Sequence, residues 1–326
     1  MDTIWNSGIS LILFLQNLGS WLKTPMAGFS FLGTEYFFLV LLPCIYWCIE
    51  ARIGLRVAII LLLSTSVNDS FKMLFHGPRP YWYSSDVIAY ARESSFGVPS
   101  GHAQIATGVW GILAITLRKW WAWLIACLII LMIGISRMYL GVHFFHDVIL
   151  GWLIGVILLW LVVHFWYPIA TWLKKLDLGK QILVAFLSSL FVILISFIPF
   201  AWLKLTHWQA PQAWAEYATG AISMSGSFTT AGTIFGLFTG LAWFAKKGGF
   251  DPGGLVWKRI TRFVIGVVGI LSLYLGLKVV FGLIIPDSEA LIPLLLRYIR
   301  YFLVGAWISA GAPWVFVHLR LADKAC

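Results

Sequence analysis

Long apolar runs, separated by short polar segments, dominate the chain. A transmembrane helix needs about 20 mostly apolar residues to cross the roughly 30 Å hydrocarbon core of a bilayer. Nine runs approach that length and predict spans at 34–50, 54–75, 101–118, 120–138, 147–167, 181–203, 228–245, 260–281 and 294–317. The pattern therefore predicts an all-α, polytopic membrane helix bundle.

The first 33 residues carry a shorter apolar run, which Gln16 and Asn17 interrupt. Polar groups inside such a short run favour an interfacial or shallowly inserted helix over a full span. Counting this run as a span would raise the total from nine to ten.

Composition supports the membrane interpretation. Of the 326 residues, 60% are hydrophobic and only 11% are charged, whereas soluble domains carry roughly 25% charged residues. The net charge of +10 would suit a nucleic-acid partner, but the basic residues are scattered through short loops. This scatter is typical of membrane proteins, so membrane lipids, and no nucleic acid, are the expected partners.

Basic residues occupy every second loop between the predicted spans. They are Arg52, Arg56, Arg118, Lys119, Lys174, Lys175, Lys180, Lys246, Lys247, Lys258, Arg259, Arg262, Arg320 and Lys324. By the positive-inside rule these loops face the cytoplasm. The loops around 76–100, 139–146, 204–227 and 282–293 then face outward. In a bacterial inner membrane they would face the periplasm, and in a eukaryote the ER lumen or the cell exterior.

Two outward-facing segments carry groups suited to an anion. In the first, Lys72 lies near the end of a predicted helix, and Arg79 is fixed between two prolines. In the second, Ser100 is a good helix N-cap, Gly101 lets a ligand approach the backbone, and His102 follows. A helix N-terminus is a ready phosphate site because its N–H groups lack partners.

A third outward-facing segment holds Arg137, His143, His146 and Asp147 within about three helical turns. Ionisable groups at membrane depth are costly and usually functional. If a helix begins here, Asp147 lies one turn after His143. His146 has Leu150 at the same offset and is therefore interpreted as peripheral.

Together, the three segments resemble the signature of the type 2 phosphatidic acid phosphatase (PAP2) superfamily: K-x6-RP, PSGH and SR-x5-H-x3-D. Every spacing is met. The resemblance covers 34–167 and implies a catalytic transmembrane core there, whereas hydropathy predicts an N-terminal interfacial segment at 1–33 and additional transmembrane helices at 168–326. The "RPYWY" stretch and the additional spans are more similar to the longer members, such as the glucose-6-phosphatases and sphingosine-1-phosphate phosphatases.

The residues and the resemblance imply the same chemistry, hydrolysis of a lipid phosphate or diphosphate at the outer face. His143 would form a phosphohistidine, Asp147 would fix its tautomer, and His102 would protonate the leaving group. No cofactor is implied. No carboxylate, Cys or His cluster has metal-ligand spacing, so a metal-independent reaction is expected. The phosphate-binding residues would be Lys72, Arg79, Ser100, Gly101 and Arg137.

Rival functions stay open at this point. A phosphotransferase would keep the phosphohistidine and pass the group to another lipid headgroup, and a water-soluble sugar phosphate would be a further substrate class. A lipid transporter would need ionisable residues spread through the depth of several spans. Elsewhere, Gly232, Gly236 and Gly240 form one helical stripe, which allows close helix packing within the fold or in an oligomer.

Overall fold

The computed structural model describes residues 2–286 and 288–325, and within these ranges the chain is helical, without strands. Two 3-10 turns, at Ser20–Leu22 and Gln212–Trp214, and a π turn at Trp307–Gly311 complete the helical segments. The predicted all-α class is confirmed. The α-helices are α1 (Asp2–Asn17), α2 (Lys23–Phe31), α3 (Glu35–Cys48), α4 (Ala51–Phe75), α5 (Pro80–Tyr83), α6 (Gly101–Leu117), α7 (Trp120–Tyr139), α8 (Phe145–Lys174), α9 (Leu178–Leu205), α10 (Ala215–Ala218), α11 (Ser225–Lys246), α12 (Val256–Ile284), α13 (Leu291–Ala306) and α14 (Ala312–His318).

Seven helical segments in the described ranges are long and apolar enough to cross a membrane. They are Ala51–Tyr83, Trp120–Tyr139, Phe145–Lys174, Leu178–Leu205, Ser225–Lys246, Val256–Ile284 and Leu291–His318. The other two predicted spans also fold as helices, but α6 has 17 residues and α3 has 14. At 1.5 Å per residue these reach about 26 and 21 Å, short of the ~30 Å hydrocarbon core. The chain is a multi-pass membrane protein, and the count of nine spans is not confirmed.

The chain divides into two compact units whose segments alternate along the sequence. Unit 1 contains Met1–Leu39, Ile59–His164 and Ser196–Ser223. Unit 2 contains Val40–Ala58, Phe165–Ile195 and Met224–Cys326. Every predicted site residue belongs to unit 1. The domain boundaries at 33/34 and 167/168 stay predictions.

In unit 1, two glycines set the distance between α6 and α8. A Cβ atom on Gly151 would lie 2.6 Å from the carbonyl oxygen of Ser100, and one on Gly155 would lie 2.7 Å from that of Gln104. Real Cβ atoms do not approach backbone oxygens so closely, so α8 packs this tightly only with glycine at both positions. This packing brings the beginning of α8 next to the N-terminus of α6.

The side chain of Gln16 ties α1 to the loop before α6. Its Nε2 atom donates to the carbonyl oxygens of Ile88, at 2.8 Å, and Tyr139, at 2.9 Å. Its Oε1 atom accepts from the Ile88 N–H at 3.1 Å. Gln16 is therefore a buried residue whose polar atoms are hydrogen-bonded. The interfacial position of the first 33 residues stays a prediction.

In unit 2, the glycine stripe lies against α13 and the π turn of the same chain. A Cβ atom on Gly232 would overlap the Tyr298 carbonyl oxygen, and one on Gly236 would overlap that of Phe302. A Cβ atom on Gly240 would overlap the Ser309 hydroxyl. The stripe therefore allows close helix packing within the fold, as expected. Its use in an oligomer stays a prediction.

Replacing Gly236 with alanine is expected to destabilise the protein by about 1–3 kcal/mol or more, because α11 and α13 must move apart to admit the methyl group. The matched control is Gly276→Ala in α12, where an added Cβ meets nothing within 4 Å. This control should be neutral or stabilising by up to about 1 kcal/mol. Thermal unfolding in detergent compares the two variants, and equal midpoints would contradict the proposed packing constraint.

Candidate active site

The beginning of α8 holds a buried His–Asp pair. α7 ends at Tyr139, and Gly141 turns the chain with a φ of +76°, so that α8 begins at Phe145. His143 Nδ1 lies 3.3 Å from Asp147 Oδ2, which also accepts the Phe144 N–H at 2.9 Å. The contact indicates that Nδ1 carries the ring proton and leaves a lone pair on Nε2.

His143 is almost completely buried, with 1% of its side chain exposed. Burial lowers the pKa of His143 to about 3; Asp147 opposes the shift, whereas Arg79 adds to it. The ring is therefore neutral at physiological pH, as a nitrogen nucleophile must be. Its Nε2 atom lies 3.3 Å from Arg79 Nη1.

His146 also has a carboxylate neighbour, which the sequence interpretation missed. Its Nε2 atom lies 3.1 Å from Asp147 Oδ1, and its ring stacks on Phe144. The sequence interpretation considered only the helical offset to Leu150 and not the adjacent Asp147, and the peripheral role of His146 stays a prediction. Asp147 contacts both rings, but 35% of the His146 side chain is exposed.

The N-terminus of α6 lies beside this pair. Ser100 is the N-cap, as predicted, and its Oγ atom accepts from the Ala103 N–H at 3.4 Å. The Ser100 N–H donates to the Asp147 carbonyl oxygen at 3.0 Å. A Cβ atom on Gly101 would lie 2.9 Å from Asn68 Oδ1, so the absence of a side chain at Gly101 makes room for Asn68. The approach of a ligand to the Gly101 backbone stays a prediction.

Two buried amides hold the loop before α6, and sequence reasoning missed this function. Asn68 Nδ2 donates to the Pro99 carbonyl oxygen at 3.3 Å and to Gln104 Oε1 at 3.0 Å. Gln104 Nε2 donates to the Ser64 carbonyl oxygen at 2.9 Å. Gln104 stands inside an apolar span, and this costly position was the available signal.

Arg79 is fully buried, and its guanidinium forms hydrogen bonds within the protein. It donates to the carbonyl oxygens of Ser95 at 2.7 Å, Val142 at 2.9 Å and Phe96 at 3.1 Å, and to Ser95 Oγ at 3.0 Å. Lys72 Nζ donates to the same Ser95 hydroxyl at 2.8 Å. The two predicted phosphate ligands are therefore neighbours, and the loop before α6 holds both.

Arg137 is also buried and binds two side chains that sequence reasoning missed. Its Nη2 atom donates to Glu93 Oε1, and its Nη1 atom donates to Ser30 Oγ at 2.6 Å. Glu93 Oε2 lies 3.8 Å from Arg79 Nη2. Ser30 lies in α2 and Glu93 in a loop, and neither position has a sequence pattern that would single it out.

His102 follows the N-cap in α6 and interacts electrostatically with Arg137, Glu93 and His143. Within the described residues, its ring forms no hydrogen bond to another predicted site residue. Its assignment as proton donor therefore stays a prediction. All eight residues predicted for the site nevertheless lie in one region of unit 1, at or just beyond the ends of α4, α6, α7 and α8 and at the start of α5.

Comparison with known proteins identifies the family. Residues 53–170 match the profile described as the PAP2 superfamily, and residues 228–324 match the PAP2 superfamily phosphatase, transmembrane extension. The chain is 32% identical over 158 residues to phosphatidylglycerophosphatase B of Bacillus subtilis (strain 168), covering 44% of this chain and 75% of that protein. The chain belongs to the PAP2 superfamily. The predicted family is thus confirmed, and its three motifs lie within the first match.

Other members of the superfamily match different lengths of the chain. Human glucose-6-phosphatase 3 is 29% identical over 187 residues, covering 50% of this chain and 54% of that protein. The catalytic subunit 1 of glucose-6-phosphatase from Haplochromis nubilus is 26% identical over 276 residues, covering 74% of this chain and 77% of that protein. The chain therefore spans about half the length of glucose-6-phosphatase 3. The predicted likeness to the longer PAP2 members is confirmed.

Proposed function

We propose that the protein is a membrane-embedded phosphatase that hydrolyses a lipid phosphate or diphosphate through a phosphohistidine at His143. The observation that carries the proposal is the buried imidazole whose Nδ1 lies 3.3 Å from Asp147 and whose Nε2 lies 3.3 Å from Arg79. A neutral, oriented ring beside a guanidinium combines a nucleophile with a phosphate ligand.

The reaction has two steps. In the first, the His143 Nε2 lone pair attacks phosphorus, the bond from phosphorus to the ester oxygen breaks, and His102 donates a proton to the departing oxygen. In the second, His102 takes a proton from water, the water oxygen attacks phosphorus, and the P–N bond breaks to regenerate His143. The Asp147 carboxylate stabilises the imidazolium formed in between.

Positive charge must neutralise the phosphoryl oxygens throughout the transfer. Lys72, Arg79 and Arg137 would supply this charge, and a guanidinium can bind two oxygens at once. Ser100 and the Gly101 N–H would add donors at the N-terminus of α6. Because Arg79 Nη1 contacts His143 Nε2, attack requires Arg79 to transfer that hydrogen bond to a phosphoryl oxygen.

A lipid phosphate is the favoured substrate class, because the site lies at the ends of membrane-spanning helices and one relative is named phosphatidylglycerophosphatase B. The glucose-6-phosphatase relatives support a sugar phosphate as the second candidate. The positive-inside rule supports a site on the outward face. That face would be the periplasmic side of a bacterial inner membrane, or the ER lumen or cell exterior in a eukaryote.

The purified full-length protein in detergent is expected to release inorganic phosphate from at least one lipid phosphate. The panel contains phosphatidate, phosphatidylglycerophosphate, a polyprenyl diphosphate, a sphingoid-base phosphate and glucose 6-phosphate. EDTA is present, because the donor set predicts a metal-independent reaction. Release from glucose 6-phosphate alone would favour the second candidate. A new phospholipid without free phosphate would indicate a phosphotransferase, and turnover only with added Mg²⁺ or Zn²⁺ would contradict the metal-independent mechanism.

A further inference from the structure

A carboxylate lies among the cations of the candidate site. Glu93 Oε1 accepts from Arg137 Nη2, and Glu93 Oε2 lies 3.8 Å from Arg79 Nη2. Burial alone would raise the pKa of Glu93, but the charges of Arg137 and Arg79 outweigh it and hold the pKa well below its usual range. Glu93 is therefore ionised at neutral pH, beside the two arginines that the proposed reaction needs.

The position of Glu93 is built into the fold. The Tyr81 hydroxyl donates to the Glu93 carbonyl oxygen at 3.0 Å and accepts from the Glu93 N–H at 3.1 Å. One phenol thus holds both backbone polar groups of this residue. Tyr81 itself is buried at the start of α5, directly after Arg79 and Pro80. The loop around Glu93 is not helical, but its backbone is fixed at this residue, and from there the carboxylate reaches the arginines.

A phosphoryl oxygen at Arg137 Nη2 would compete with Glu93 Oε1 for that donor. A phosphomonoester carries a charge of about −1.5 to −2 at neutral pH, whereas a phosphodiester carries a single charge. Exchanging a carboxylate for a diester replaces one negative charge by another, so the charge that faces the cations does not change. Exchanging it for a monoester adds close to one further charge to interact with Lys72, Arg79 and Arg137. Only the second exchange is favoured electrostatically.

We propose that Glu93 is a specificity-determining residue whose carboxylate competes with substrates for Arg137 and Arg79. Phosphomonoester dianions displace this carboxylate from the arginines, whereas phosphodiester monoanions do not displace it. This inference rests on the proposed phosphatase function. It gives the site a means to reject the diester headgroups of the surrounding phospholipids, which are far more abundant at a membrane surface than any phosphomonoester. The side chain of Glu93 would move aside during substrate binding.

The test is equilibrium binding of ³²P-orthophosphate to the full-length protein in detergent at pH 7.5, with methyl phosphate or dimethyl phosphate as competitor. For the wild type, methyl phosphate should compete and dimethyl phosphate should not. Glu93→Gln keeps an acceptor for Arg137 but removes the charge. It should bind orthophosphate about tenfold more tightly, the scale of one charge-assisted hydrogen bond, and dimethyl phosphate should now compete.

Asp86→Asn is the matched control, because it removes the same charge from an exposed position in the same loop. Its binding should equal that of the wild type. Tyr81→Phe gives a second route, since it releases the Glu93 backbone and should also tighten orthophosphate binding. The Tyr81→Phe variant tests the proposal if size-exclusion chromatography shows that Glu93→Gln does not fold.

Equal or weaker orthophosphate binding by Glu93→Gln would overturn the proposal, because that result is expected if Glu93 only positions Arg137. Competition by dimethyl phosphate in the wild type would overturn it too, as would the absence of orthophosphate binding in both proteins. Turnover is measured separately. A wild type that binds orthophosphate but hydrolyses no substrate fails as a phosphatase, while the binding comparison still decides the function of Glu93.

Discussion

Replacing His143 with alanine is expected to lower kcat by at least about 10⁴-fold, because the variant lacks the proposed nucleophile. His143 is buried, neutral and in contact with Asp147 on one side and Arg79 on the other. The cations are retained in this variant, so equilibrium binding of orthophosphate should persist. A loss confined to kcat separates the removal of a nucleophile from the collapse of the site.

The control for this variant is His146→Gln. His146 also contacts Asp147, but it is partly exposed and its ring lies on Phe144. Losing such a peripheral contact should cost about 1 kcal/mol or less, within about fivefold in kcat. Rapid quenching with a ³²P-labelled substrate, followed by acid- and alkali-stability tests and peptide mapping, should locate the label on His143. Label on His146, or turnover by His143→Ala, would refute the assignment.

The helices of this chain were predictable because each predicted span is a continuous apolar run bounded by polar residues. All nine predicted segments fold as helices, although α3 and α6 are shorter than a full span. Helix ends were less predictable. α8 continues to Lys174, beyond the predicted end at 167, with Pro168 inside the helix. Hydropathy alone contains no signal for that continuation.

The candidate site was predictable where residue type and short-range spacing define it. The Ser100 cap and the His143–Asp147 contact both follow from positions within one helical turn. The missed residues act across long sequence distances instead. Glu93 reaches Arg137 over 44 residues, and Ser30 reaches it over 107. No local pattern distinguishes them from ordinary loop and helix residues, so only the folded chain reveals them.

The arginines show a different limit of sequence reasoning. Residue type predicted that Arg79 and Arg137 bind phosphate, and a guanidinium is well suited to that function. In the structure, however, Arg79 also donates to three backbone carbonyl oxygens, and Arg137 donates to Glu93 and Ser30. Each arginine therefore organises the loop before α6 as well. Substituting either one would change loop position and phosphate binding together, which makes such variants poor tests of the chemistry.

Asp147→Asn is a cleaner test, and it should lower kcat by about 10³–10⁴-fold, the scale known for a carboxylate that orients a catalytic histidine. Asp147 Oδ2 accepts from the Phe144 N–H and contacts His143 Nδ1. If the amide oxygen of asparagine takes the place of Oδ2, the ring keeps its tautomer but its cation loses a negative partner. If the amide nitrogen takes that place, it faces two other donors, the Phe144 N–H and the His143 Nδ1–H. This arrangement favours the tautomer with the proton on Nε2, which leaves no lone pair on Nε2 to attack phosphorus.

Either orientation of the asparagine amide impairs the transfer step while Lys72, Arg79 and Arg137 remain. The expected signature is therefore a large fall in kcat with orthophosphate binding close to that of the wild type. Asp86→Asn makes the same chemical change at an exposed position and should leave kcat unchanged. Steady-state kinetics on the best substrate of the panel measures both variants. If Asp147→Asn kept more than about a tenth of the wild-type kcat, the carboxylate would not be the partner that orients His143 and stabilises its cation.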